Sequence, residues 1–131
     1  MREAFPLELL AREPVTTGES ITYAVGVPAD LLYFQGHFPG APLLPGVAQL
    51  VALVLDRVHA HWPELGEPTR VGRLKFKQPI APGDALRLAL EREDRPGDAP
   101  RVHFRVERIE RDEGPCTVGV MTFATPAAPH G

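Results

Sequence analysis

One run in this chain is free of internal proline and glycine for about four helical turns: Gly46 to Trp62, Gly-Val-Ala-Gln-Leu-Val-Ala-Leu-Val-Leu-Asp-Arg-Val-His-Ala-His-Trp. Pro45 precedes it, where the start of a helix tolerates proline because its missing N–H has no intrahelical acceptor. The first ten residues are apolar almost all round, with Gln49 as the exception, whereas Asp56, Arg57, His59 and His61 crowd the last part. A helix with an ordinary apolar stripe can lie on a flat surface, but one that is apolar over most of its circumference needs cover on several sides. The first half is therefore expected to be buried, and a strongly curved sheet wrapped around the helix is the physical solution.

The remaining apolar segments supply that sheet. Ser20 to Val27 reads as a strand, and Leu7 to Arg12 as a short helix before it. After the proline-rich break at 63–68, strands are expected at 69–78, 84–93, 101–110 and 116–125. Leu86, Leu88 and Leu90 alternate with Arg87, Ala89 and Glu91, and Val102, Phe104 and Val106 alternate with His103, Arg105 and Glu107. Such alternation marks a sheet with one covered face. Pro82-Gly83-Asp84, Pro96-Gly97-Asp98 and Asp112-Glu113-Gly114-Pro115 carry turn chemistry, and connections this short favour antiparallel neighbours. The expectation is one α+β domain over residues 1–131, with an N-terminal segment at 1–14, a flexible tail at 126–131, and a curved antiparallel sheet of five or six strands around one long central helix.

Charge and composition narrow the function. Lysine and arginine number 14 against 17 aspartates and glutamates, a net charge of -3, which is not the footprint of a nucleic-acid binder. No apolar run approaches the roughly 18 to 20 residues needed to span a bilayer, and Met1-Arg2-Glu3-Ala4-Phe5-Pro6 lacks the apolar core of a secretion signal, so a cytoplasmic protein without membrane partners is expected. Cys116 is the single cysteine, which excludes an intramolecular disulfide and a cysteine-based metal cluster.

Two stretches carry a resemblance. Phe34-Gln35-Gly36-His37-Phe38-Pro39-Gly40-Ala41-Pro42-Leu43-Leu44-Pro45-Gly46-Val47 resembles the signature of the FabA/FabZ 3-hydroxyacyl-acyl-carrier-protein dehydratases. Lys75-Phe76-Lys77-Gln78-Pro79-Ile80-Ala81-Pro82-Gly83-Asp84-Ala85-Leu86 is similar to the strand, turn and strand that follow the helix in that family. Leu43 to Leu50 is similar to the ApeI branch, associated with aryl polyene assembly. The resemblance spans roughly Leu31 to Thr125. It implies a hotdog fold, assembly as a homodimer or higher oligomer with active sites between subunits, and a substrate tethered to an acyl carrier protein by phosphopantetheine. No metal or other cofactor is implied.

Dehydration of a 3-hydroxyacyl thioester needs a base for the proton next to the carbonyl, a donor for the charge gathering on the thioester oxygen, and an acid for the departing hydroxyl. The resemblance assigns the base to His37, whose imidazole titrates near neutrality. It assigns the oxyanion donor to the Gly46 amide, which has no partner within the helix and sits at the positive end of its dipole. Phe38, Val47, Gln49 and Val51 are the expected substrate contacts. The third role departs from the family, which carries an Asp or Glu fourteen residues after the histidine, where this chain has Val51. Leu55 replaces a glutamine common in the family, and Asp56 lies about 100° of rotation further round the helix. His37 must then serve both proton steps or borrow an acid from another subunit. Two alternatives follow: a hotdog thioesterase with water held by Gln49, and a catalytically degenerate subunit partnering an active dehydratase as a hetero-oligomer.

Other residues read more plainly. His59 and His61, two apart on a helix, point to opposite sides and make no metal pair. His103 fits a solvated strand face and Cys116 a structural thiol. Arg70, Arg73, Lys75 and Lys77 form a basic run that reads as a solvated face, or as a surface for an acidic carrier protein.

Overall fold

The computed structural model describes residues 4–34, 43–110 and 113–125. Six strands, β1 (Leu7–Val15), β2 (Gly18–Gly26), β3 (Pro68–Phe76), β4 (Ala85–Glu93), β5 (Arg101–Arg108) and β6 (Thr117–Phe123), form one sheet in the order β1-β2-β4-β5-β6-β3. Every neighbouring pair is antiparallel. The alternating residues turn as their pattern demands: Leu86, Leu88, Leu90, Val102 and Val106 are fully buried, and Phe104 nearly so. Across from Phe104 lies Gly119, where a Cβ would come within 2.5 Å of the Phe104 ring, so the ring occupies the space any side chain would need.

The central helix runs from 46 to 61 and widens in its middle. Gly46–Ala48 and Asp56–His61 are α-helical, whereas Gln49–Leu55 is a π-helical turn and a half, in which Asp56 N–H reaches back five residues to the Val51 carbonyl. The wider pitch spaces the buried positions Gln49, Leu53, Val54 and Val58 four to five residues apart along one face. The opposite face recurs at Val47, Val51 and Asp56, all exposed.

Three expectations are corrected. Leu7 to Arg12 is not a helix but most of β1, part of the N-terminal segment taken up into the sheet. It pairs with β2 from Leu7↔Val25 to Val15↔Gly18, and ladder bonds to a neighbour outweigh the weak helical preference of so short a piece. The first half of the helix is not enclosed, because Val47 is 74% and Val51 49% exposed. The sheet covers one side of the helix, so apolarity on the other side has no partner among the described residues. The turn at Pro82-Gly83-Asp84 does not join neighbouring strands either, since β3 lies at the sheet edge and β4 between β2 and β5. Crossing three strand spacings covers about 14 Å, and the eight residues from Lys77 to Asp84 can extend about 26 Å.

That crossing segment is pinned along its length. Leu44 N–H donates to the Ile80 carbonyl at 2.7 Å, Gly83 N–H to the Val27 carbonyl at 2.7 Å, and Val27 N–H to the Asp84 carbonyl at 3.1 Å. Arg108, at the end of β5, donates to Gln78 Oε1 at 2.6 Å, to Asp84 Oδ2 at 3.3 Å and to the Pro79 carbonyl. The loop before the helix and the loop after β3 are thus held side by side, with the helix start between them.

Candidate active site

Pro45 leaves the preceding loop in an extended conformation (φ -61°, ψ 149°) and the helix begins at Gly46. The first intrahelical bond is Gln49 N–H to the Pro45 carbonyl, 3.1 Å, so the Gly46 amide lies ahead of the ladder with no acceptor inside the helix. Gly46 is among the residues lining a cavity of about 390 Å³, with Leu43, Leu44, Pro45, Gln49, Phe76, Lys77, Gln78 and Pro79. The walls are mostly apolar, which strengthens any hydrogen bond made inside. None of these described lining residues is a carboxylate.

Gln49 is buried at 4% exposure and its amide is committed to the protein. Its Nε2 donates to the Leu44 carbonyl at 3.1 Å, and its Oε1 accepts from the Thr117 hydroxyl at 2.5 Å. Thr117, itself fully buried, is the first residue of β6 and pairs with Phe76 across the ladder. One buried polar bridge therefore fixes the helix start to the loop before it and to the sheet beneath it. Its sequence signal is the coincidence of two lone polar residues, one in the apolar half of the helix and one at an inward position of β6.

The structure brings Gly46 and Gln49 together at the cavity and sets Val47 and Val51 apart from it. Both valines lie on the uncovered helix face, outside the described cavity lining. Asp56 is exposed and also outside that lining. His37 and Phe38 lie outside the described residues. Phe76, Thr117 and Arg108 went unnoticed in the sequence: Phe76 lies over Gly46, Thr117 braces Gln49, and Arg108 holds the Gln78-Pro79 wall.

The helix C-terminus uses its histidines differently. His59 Nε2 meets the Gly66 carbonyl at 2.6 Å, and His61 Nε2 meets the Tyr23 hydroxyl at 2.5 Å. Burial, and after it the nearby Arg12 guanidinium, hold His61 below the usual histidine range. Beside it Trp62 Nε1 donates to Glu19 Oε1 at 3.1 Å, and Arg12 Nε donates to Glu19 Oε2 at 2.8 Å, which lowers the Glu19 carboxyl. Cys116 is fully buried and its thiol is pushed up by desolvation, away from the thiolate that a nucleophile needs.

The basic run lies mainly along edge strand β3. Register slips between Gly72 and Lys75, and Arg73 takes a left-handed φ of 51° within that bulge. Arg73, Lys75 and Lys77 share a surface groove with His103, Val118 and Val120, while Lys77 also lines the cavity at Gly46. A continuous cationic track therefore leads to the cavity mouth.

Known proteins supply the context. Residues 13–119 match the ApeI-like family, described as ApeI dehydratase. The 3-hydroxyacyl-acyl-carrier-protein dehydratase FabZ of Alkaliphilus metalliredigens is 41% identical over 71 residues, 50% of this chain and 48% of its own length. That of Erythrobacter litoralis is 36% identical over 97 residues, 66% of this chain and 64% of its own. The chain thus spans less than two thirds of either relative. Among solved structures, the dehydratase heterocomplex ApeI:P from Xenorhabdus doucetiae superposes with a TM-score of 0.68 at 23% identity, covering 92% of this chain and 99% of that one. An uncharacterized protein from Erwinia carotovora subsp. atroseptica superposes with a TM-score of 0.63 at 28% identity, covering 93% and 98%. The match from 13 to 119 takes in the central helix, the cavity at Gly46 and four complete strands, and the superposition covers nearly the whole chain: the chain belongs to the ApeI-like dehydratase family and has the hotdog fold.

Proposed function

We propose that the chain dehydrates a 3-hydroxyacyl thioester on an acyl carrier protein to the trans-2-enoyl thioester, in fatty-acid or aryl-polyene-type lipid biosynthesis. The observation that carries the reading is the Gly46 amide at a helix start, without an acceptor inside the helix, at a largely apolar cavity in a chain of this family. His37 removes the proton next to the carbonyl, and the electron pair moves toward the thioester oxygen, which Gly46 N–H stabilises. Losing such a donor typically costs about 3 to 4 kcal/mol of transition-state stabilisation. The C–O bond to the hydroxyl then breaks, and the leaving hydroxide takes a proton to depart as water. With Val51 in the acid's place, that proton comes from His37 itself, on the same face, or from a group on another subunit.

Assembly belongs to the same reading. The uncovered Val47 and Val51 face and the position of β3 at the edge of the described sheet fit a homodimer, or a hetero-oligomer with a second hotdog subunit, in which both valines come to line the acyl chain's path. The cationic track from Arg73 to Lys77 fits an acidic carrier protein delivering its phosphopantetheine arm to the cavity mouth. No further cofactor enters the scheme.

A second reading, a degenerate subunit that partners an active dehydratase, is favoured by one observation: no carboxylate lines the described cavity. The thioesterase alternative is weakened, because the amide of Gln49 braces Leu44 and Thr117 and is poorly placed to hold an attacking water. Purified protein given 3-hydroxyacyl and saturated acyl carrier-protein thioesters separates the three. Enoyl thioester formation is the expected result; hydrolysis indicates a thioesterase, and neither reaction, with or without a candidate partner subunit, overturns the enzyme reading.

A further inference from the structure

Phe76 closes β3 and pairs with Thr117, the residue that braces Gln49, so its side chain turns inward toward the helix start. A Cβ added at Gly46 would meet Phe76 Cζ at 2.8 Å, and its three nearest heavy atoms would all belong to that ring. The ring therefore lies directly over the Gly46 Cα, next to the amide. Yet Phe76 is 49% exposed and lines the cavity, so a large aromatic surface is left open beside the proposed backbone donor. The brace between helix and β6 holds ring and amide in a fixed relation, and Lys77, the next residue, marks the cavity mouth.

We propose that Phe76 is the thioester-recognising residue of this cavity: its open ring surface packs against the flat S–C=O group and turns the carbonyl oxygen toward Gly46 N–H. The proposal rests on the reading that the chain binds acyl thioesters, and it adds which side chain selects that group. The chemistry favours sulfur, because a thioester sulfur is polarisable and attracted to an aromatic ring where an ester oxygen is not. Glycine at 46 follows from the same arrangement, since a side chain there would displace the ring.

The test is titration of ¹⁵N-labelled protein with 3-hydroxydecanoyl-pantetheine and with its oxygen-ester analogue, following the Gly46 amide resonance. In the wild type the thioester shifts that resonance and binds more tightly than the ester. In Phe76→Ala and Phe76→Leu the Gly46 shift at saturation falls to less than half, the thioester preference disappears, and thioester affinity drops by about 2- to 12-fold. Phe76→Tyr keeps the ring and retains the wild-type behaviour. Leu fills much of the volume without an aromatic face, so a purely structural role for Phe76 would leave Phe76→Leu like the wild type. An unchanged Gly46 shift and thioester preference in both ring-less variants overturns the proposal while the acyl-thioester reading stands. Absence of any shift in the wild type with either ligand overturns both.

Discussion

The Thr117 hydroxyl donates to Gln49 Oε1 at 2.5 Å, joining the first residue of β6 to the first wide turn of the central helix. Both partners are buried, so the strength of the bond matters less than the cost of leaving either group unpaired.

Thr117→Val preserves shape and removes the donor, stranding Gln49 Oε1 in an apolar setting. We expect a loss of about 1 to 3 kcal/mol in chemical denaturation. Gln49→Leu strands the Thr117 hydroxyl and the Leu44 carbonyl together and costs at least as much. In the double variant the two orphaned side-chain groups vanish together, so its loss is less than the sum of the single losses. Strict additivity would show that the two residues do not depend on each other.

Much of this architecture was legible in the chain, for reasons that also locate the misreadings. The alternation at Leu86-Leu88-Leu90 and Val102-Phe104-Val106 works because a strand's side-chain period is two, whichever strands flank it. In β1 the register slips between Leu9 and Ala11, which sets Leu9 and Leu10 side by side on an exposed edge and spoils the alternation that would have marked a strand. Pairing partners were invisible because turn residues such as Pro82-Gly83 report that the chain bends, not how far it then travels. The apolar helix half was read correctly as apolar, but apolarity does not say whether the cover comes from the same chain. At the site, the resemblance pointed to Gly46, and helix geometry adds that its amide has no partner within the helix. Phe76 was passed over because an aromatic in a strand is ordinarily core, and only the approach to Gly46 distinguishes it.

The valine face gives a prediction about assembly. Val47 and Val51 lie four residues apart on the uncovered side of the helix, so carboxylates there cost the isolated chain little. Val47→Asp with Val51→Asp should leave the circular dichroism of the fold intact and lower the light-scattering mass to that of a single chain. An unchanged oligomeric mass would place the subunit contact elsewhere.

His61 gives a pH prediction. Its folded pKa lies below the ordinary value of about 6.5, chiefly through burial and then through Arg12, so the fold favours the neutral ring. Below pH 6.5 the unfolded chain takes up a proton that the folded chain resists. Stability is therefore fully present above that pH and is lost as pH falls toward the folded value. Arg57 acts in the same direction, and Glu19 opposes it. Wild-type Tm should fall between pH 7 and pH 5, and His61→Gln, which keeps a partner for Tyr23 without titrating, should fall less. Parallel curves for the two proteins would remove His61 from the account.

The chemistry is tested most directly at His37. In the proposed scheme it takes the proton next to the carbonyl and, with Val51 in the family acid's place, either it or a group on another subunit supplies the proton to the leaving hydroxyl. His37→Asn retains hydrogen bonding and loses basicity, so turnover of a 3-hydroxyacyl carrier-protein thioester should fall by about 100- to 10,000-fold, while binding changes little because other residues build the cavity. The pH profile separates one proton carrier from two. If His37 performs both steps on the same face, adding Val51→Glu to the wild type gives at most a modest gain and leaves the dependence on His37 intact. If the acid comes from another subunit, dehydration requires the assembled oligomer, and dilution below the association range abolishes it at constant total activity per assembled complex. An Asn variant that keeps most of the dehydration rate would show that His37 is not the base.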